Sequence, residues 1–125
     1  MLFDHPIISQ RYFFPRAGRP SRGEVEVEVE GATLCCAQHI VDPDGLTLLH
    51  FHGNGEIVAD YVPWLMDVFA KMGLNTFFAE YRGYGGSSGE PLMATMLEDV
   101  VPVLDASGSP PEKTIVMGRS VGSIY

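Results

Sequence analysis

The chain has 125 residues, 46% of them hydrophobic and 19% charged, the size and balance of one globular domain and not of a disordered polypeptide. Its 8 Lys and Arg against 16 Asp and Glu leave a formal charge of -8, which argues against nucleic acid or anionic membrane as a general partner. No apolar run approaches the length of a membrane span, and no cationic start precedes an apolar core of signal-peptide length, so a cytoplasmic location is the expectation.

Residues 1–23 combine Pro6, Pro15 and Pro20 with the aromatic patch Tyr12-Phe13-Phe14, a composition that predicts an irregular arm packed on the edge of a domain spanning residues 24–125. From 24 to 30 glutamate and valine alternate strictly, which is the period of a half-buried strand with Val25, Val27 and Val29 turned inward. The glutamate row reads as a solvated face and not as a metal site. Gly31 marks a hairpin turn, and 34–41 is the return strand. It carries Cys35 and Cys36, which point to opposite faces and cannot easily pair with each other.

Asp42-Pro43-Asp44-Gly45 is a turn by composition, and 46–51 is a nearly continuous apolar run, as in a strand buried on both faces. After a glycine-rich loop, Asp60 is placed to cap a helix with Pro63 in its first turn. Tyr61, Trp64, Leu65, Val68, Phe69 and Met72 recur at helical spacing and predict its buried face, with Gly73 ending it. Residues 74–79 form the next strand, 81–89 a long glycine-serine loop, and 92–104 a helix that Pro102 should kink or shorten. A turn over 107–111 leads into a final strand, 114–117. The order is a β-hairpin followed by a parallel βαβαβ unit with right-handed crossovers, ending at the start of another helix.

Chemistry concentrates where these strands end. Gly118-Arg119-Ser120-Val121-Gly122 follows the last strand and has the G-x-S-x-G form of a nucleophile elbow, a sharp strand-to-helix turn that holds its serine exposed and strained. The Val121 amide opens the following helix, where an unpaired N–H favours an oxyanion. His52-Gly53-Asn54-Gly55 follows the central strand at the carboxyl edge, where open α/β sheets bind ligands. The second oxyanion donor of an elbow hydrolase comes from this loop, and the Asn54 amide is the expected donor.

With these two motifs and Tyr81-Arg82-Gly83-Tyr84-Gly85-Gly86-Ser87, each after a predicted strand, the chain resembles the α/β-hydrolase superfamily. It is most similar to the esterase, thioesterase and serine-aminopeptidase-like group that carries an H-G-N loop and a Y-R-G-x-G-x-S loop. The resemblance covers the chain from about Glu24 onward and the N-terminal half of the family's fold. It implies Ser120 as the nucleophile towards a small-molecule carboxylic ester, thioester or amide, with Asn54 and Val121 as oxyanion amides and no cofactor. His52 and Gly53 would shape the oxyanion loop, while Arg82, Tyr84 and Ser87 would shape the floor of the site. Arg82 either holds loop carbonyls or a carboxylate, or touches substrate. Arg119 has two readings: it faces the acyl pocket, or folds against an acid such as Glu80.

A serine hydroxyl needs a general base, usually a histidine oriented by a carboxylate, and in this elbow arrangement both follow the serine in the chain. Only five residues follow Ser120 here. His5 and His39 belong to the arm and the hairpin, His52 braces its loop, and Asp99 and Asp105 fall away from the sheet edge. The expectation is therefore a truncated chain, inactive by itself, with a non-catalytic fragment or binding module as the alternative. An apolar final strand with an open edge predicts self-association. Nucleotide-binding readings fail, because no G-x-x-x-x-G-K-[ST] exists and a G-x-G-x-x-G at Gly53 or Gly83 would need glycine where Val58 and Ser88 stand. Cys and His are too few and too scattered for structural zinc.

Overall fold

The structure, a computed structural model, describes residues 5–125. The arm, expected to be irregular, begins with a short helix, α1 (Pro6–Tyr12). Pro6 occupies a first-turn position, where its missing N–H costs nothing, and His5 Nδ1 accepts the Ile7 N–H at 3.3 Å. The first four residues of that expected arm lie outside the described residues. Phe13, just after α1, is buried in the main core, so the arm contributes to the packed interior.

The alternating segment forms β1 (Glu24–Val29), with Val27 buried and its glutamates exposed. Gly31, at φ 78°, turns the chain into the antiparallel β2 (Ala32–His39), two residues earlier at each end than the sequence pattern suggests. β3 (Thr47–Phe51), β4 (Asn75–Ala79) and β5 (Thr114–Gly118) are parallel to one another, and the sheet order is β1-β2-β4-β3-β5. All residues of β3 and β4 are buried, as two-sided cover requires.

Period two sends Leu49, Phe51 and Phe77 to one face and His50 and Phe78 to the other. The second face is covered by the 3-10 turn Val58–Asp60, by Tyr61 and Val62, and by α2 (Trp64–Lys71) through Met66. The first is covered by α3 (Met93–Glu98) and α4 (Val100–Ser107), which insert Met96 and Val103. The expected buried face of α2 needs correction: Trp64, Val68 and Met72 keep 57%, 46% and 65% exposure, and Met66 is buried instead. Apolar residues surround this two-turn helix, so spacing alone could not choose a face; the choice is made by Tyr61 and Val62, anchored just before it. Asp60 does not cap α2. Its carboxylate accepts the Ile57 N–H at 3.1 Å and pairs with Arg16 at 2.7 Å.

The helix expected over 92–104 is two helices, and Pro102 explains the break. Its absent N–H would have paired with the carbonyl of Glu98, the residue where α3 ends, and its ring crowds that carbonyl. α4 starts again with Pro102 in its first turn, where no donor is needed. The resulting junction places Asp99 under the 81–89 loop, where it has a structural task described below.

Candidate active site at the strand carboxyl edge

β5 leads directly into the turn carrying Ser120. Ser120 has φ 53°, the single non-glycine residue with positive φ among the described residues, and a short 3-10 turn, Ser120–Ile124, follows where a helix was expected. Such a backbone persists only where its surroundings over-determine it. Here the Arg119 N–H donates to the Phe51 carbonyl at 3.0 Å, and the Gly122 N–H to the Arg119 carbonyl at 2.9 Å. A Cβ at Gly118 would lie 2.7 Å from the Gly122 oxygen, and one at Gly122 would be driven into the Phe51 carbonyl. Glycine at both positions is thus what lets the elbow lie against the end of β3. Ser120 itself is exposed, and among the described residues its hydroxyl makes no hydrogen bond.

The loop after β3 lies beside it. A Cβ on Gly53 would sit 3.5 Å from Ser120 Cβ. Neither the Asn54 nor the Val121 backbone N–H has a hydrogen-bond partner among the described residues, so both remain available to a ligand oxygen. The Asn54 side chain is committed elsewhere. Its Oδ1 accepts the Phe14 N–H at 2.9 Å and the Tyr84 hydroxyl at 2.7 Å, and its amide nitrogen donates to the Tyr12 carbonyl, so it ties the arm to the loop.

His52, fully buried, braces this loop from beneath. Its Nδ1 donates to the Gly53 carbonyl at 2.8 Å, and its Nε2 lies 2.5 Å from Glu80 Oε1. Glu80 also accepts the Tyr81 N–H at 3.1 Å and the Val58 N–H at 2.8 Å, while the Tyr81 hydroxyl donates to the His52 carbonyl at 2.5 Å. Burial pushes the Tyr81 hydroxyl far above its ordinary range, so it stays a donor.

Arg119 folds against an acid, but that acid is Glu56 and not Glu80. Glu56 Oε2 takes the Arg119 guanidinium and the Tyr61 hydroxyl at 2.5 Å, and Oε1 accepts the Gly53 N–H at 2.6 Å. Burial works to raise the Glu56 carboxyl, but the hydrogen bonds from Tyr61, Arg119 and Gly53 outweigh it and hold the group below its ordinary value. Sequence reasoning missed Glu56; the only signal was its position three residues beyond the glycine whose amide it accepts.

The 81–89 loop is mainly structural. Arg82 grips Asp99 with two hydrogen bonds of 2.7 Å and donates to the Glu30 carbonyl at 2.9 Å, joining the α3–α4 junction to the hairpin. Ser87 Oγ accepts the Cys35 N–H at 2.8 Å and Ser88 Oγ the Thr33 N–H at 2.8 Å. These serines complete the edge of β2, because β4 pairs with it only over Ala37–His39. Ser87 therefore lies at the sheet edge, while Tyr84, through Asn54, reaches the loop after β3. Both cysteines are free, and burial raises Cys35 to about 11 and Cys36 to about 12, which leaves them inert thiols.

All four histidines have other surroundings. His5 caps α1, His39 ends β2, His52 is held by Gly53 and Glu80, and His50 is buried between Tyr61 and Phe78. Among the described residues no group of three or more His, Cys, Asp or Glu is placed to hold a metal ion, and no helix is long and apolar enough to cross a membrane.

No protein-family model matches the chain. It is 30% identical over 80 residues to the uncharacterized protein YfhR of Escherichia coli strain K12, a match covering 61% of this chain and 28% of that one. It is 29% identical over 82 residues to the alpha/beta hydrolase domain-containing protein 17B of Homo sapiens, covering 62% of this chain and 28% of that one. Among solved structures it superposes on the esterase Pf2001 of Pyrococcus furiosus with a TM-score of 0.68 at 18% identity, over 91% of this chain and 50% of the esterase. The matches thus span less than a third of the curated relatives and half of the esterase. The chain is thus similar in sequence to proteins named as alpha/beta hydrolase domain-containing and has the α/β-hydrolase fold, and its partial-length match fits the N-terminal half of that fold.

Proposed function

We propose that Ser120 is the nucleophile of a serine hydrolase acting on a carboxylic ester, thioester or amide. The observation that carries this reading is the positive φ of Ser120 on a turn whose two glycines admit no side chain, because such strain is kept where a site needs it. In the reaction Ser120 Oγ attacks the acyl carbon as a base takes its proton. The carbonyl oxygen becomes an oxyanion that the Asn54 and Val121 amides receive. The bond to the leaving group then breaks, the alcohol, thiol or amine departs with the proton, and water releases the acid from the acyl-enzyme.

Among the described residues none of the four histidines hydrogen-bonds Ser120. The same observation favours the second reading, in which the chain by itself is a non-catalytic fragment. One experiment separates the two. Ser120 is exposed, so free imidazole can reach it and act as its base. Without imidazole, hydrolysis of p-nitrophenyl acetate by the chain should equal that of its Ser120→Ala variant. With imidazole, the wild-type chain should exceed the sum of imidazole alone and the variant. Equal rates at every imidazole concentration would leave the non-catalytic reading standing.

A further inference from the structure

We infer that Glu56 is a positioning residue that fixes the two halves of the oxyanion hole against each other, with Arg119 as its clasp. The inference rests on the serine-hydrolase reading and adds to it a residue outside the motifs. The two free amides come from separate segments, Asn54 from the loop after β3 and Val121 from the elbow after β5. What holds those segments together therefore sets the spacing a substrate oxygen meets. One backbone bond does so, from the Arg119 N–H to the Phe51 carbonyl. The other link is the Glu56 carboxylate, which accepts the Gly53 amide on one oxygen and the Arg119 guanidinium on the other.

Three further observations place this carboxylate at the site. A Cβ on Gly53 would lie 2.5 Å from Glu56 Oε1 and 3.5 Å from Ser120 Cβ, so carboxylate, loop amide and serine crowd one another. Tyr61, packed against Phe78 in the core under α2, donates to Glu56 Oε2 at 2.5 Å and anchors the carboxylate to the rigid body of the sheet. Charge supplies the third. A bare carboxylate beside a developing oxyanion opposes catalysis, and the Arg119 guanidinium offsets it. Arg119, bulky and charged inside a turn otherwise made of small residues, thereby has a physical reason to be there.

The pair is partly exposed, with side-chain exposures of 62% for Arg119 and 22% for Glu56, so the stability cost of breaking it should be small enough for kinetics to be read. The experiment uses the imidazole-assisted hydrolysis of p-nitrophenyl butyrate by the wild-type chain, Glu56→Gln, Arg119→Gln and the double variant. Glutamine can still accept from Gly53 but cannot hold Arg119 by charge. Each single variant should lose about 10- to 100-fold in kcat, up to the scale of one lost oxyanion donor, with KM changed less than about twofold. The double variant should be no worse than the poorer single, since both break one clasp. Unchanged kcat in either single variant, or losses that multiply, would overturn the inference. Failure of wild-type turnover to depend on Ser120 would instead remove the functional reading. Hydrogen exchange of the 53–57 loop then decides the clasp separately: faster exchange in both single variants supports it, and wild-type exchange in either overturns it.

Discussion

β3 and β5 are neighbouring parallel strands of five residues each, paired in register from Thr47 opposite Thr114 to Phe51 opposite Gly118, and both are rich in apolar side chains. Yet every residue of β3 is buried, while Ile115, Val116 and Met117 of β5 keep 42%, 58% and 37% exposure. The difference lies in the neighbours and not in the residues. β3 has a strand on each edge, whereas among the described residues β5 pairs with β3 alone, and α2 and α4 make their sheet contacts with β4 and β1. An apolar strand states that it needs cover; its sequence does not say where that cover comes from.

The largest expected effect tests that contrast directly. Leu49→Ala opens a cavity in a fully buried position and should cost about 2–5 kcal/mol. Val116→Ala, at its register partner in β5, should cost less than about 1 kcal/mol, because the side chain is already largely in water. Urea midpoints of the two variants measure this. Equal losses would mean that β5 is as well covered as β3.

The next effect comes from His50, on β3 opposite Met117. Burial, then the neighbouring His52, and to a smaller extent Arg119 lower its ring to about 4 from an ordinary 6.5, while Glu56 works the other way. Among the described residues its buried Nε2 has no hydrogen-bond partner. The unfolded chain takes up a proton below pH 6.5 that the folded chain resists until about pH 4, so stability should fall across that window as pH drops. The loss is on the order of a few kcal/mol. Glu56, held below its ordinary value, adds a loss in the same direction at the acid end, since its stabilisation disappears as pH falls through its folded value. His50→Phe should flatten the upper part of the profile and leave the acid limb. An unchanged slope between pH 6.5 and 4 would show that His50 is not the group responsible.

The smallest effect on stability, and the most specific to β5, concerns association. We expect the chain to self-associate through the unpaired β5 edge. Val116→Lys places a charge there and should shift the chain towards monomer in sedimentation, with stability changed by less than about 0.5 kcal/mol. Wild-type chain that stays monomeric across the accessible concentration range would show that the edge is already protected.

The sequence made the sheet legible wherever the period was unambiguous. Alternation in 24–30, two-sided apolar runs at β3 and β4, and glycines at 31 and 73 each matched one structural need. It failed on α2, where rotation was left to Tyr61 and Val62, whereas the interruption that Pro102 signalled in 92–104 is a break between two helices at Asp99. At the site, the turn around Ser120 was legible because only glycine tolerates its close approaches. The partner of Arg119 was not, since Glu56 and Glu80 are equally good acids on paper and only the loop geometry beside Gly53 separates them.

The central claim is that the strained turn presents Ser120 as a nucleophile. Treating the chain with a fluorophosphonate in the presence of imidazole and mapping the adduct by mass spectrometry tests it most directly, because Ser123, three residues away and also exposed, is a built-in control. The expected result is a single phosphonyl adduct on Ser120, none on Ser123, and loss of the adduct in Ser120→Ala. An adduct spread over both serines, or no imidazole-dependent adduct at all, would contradict the account.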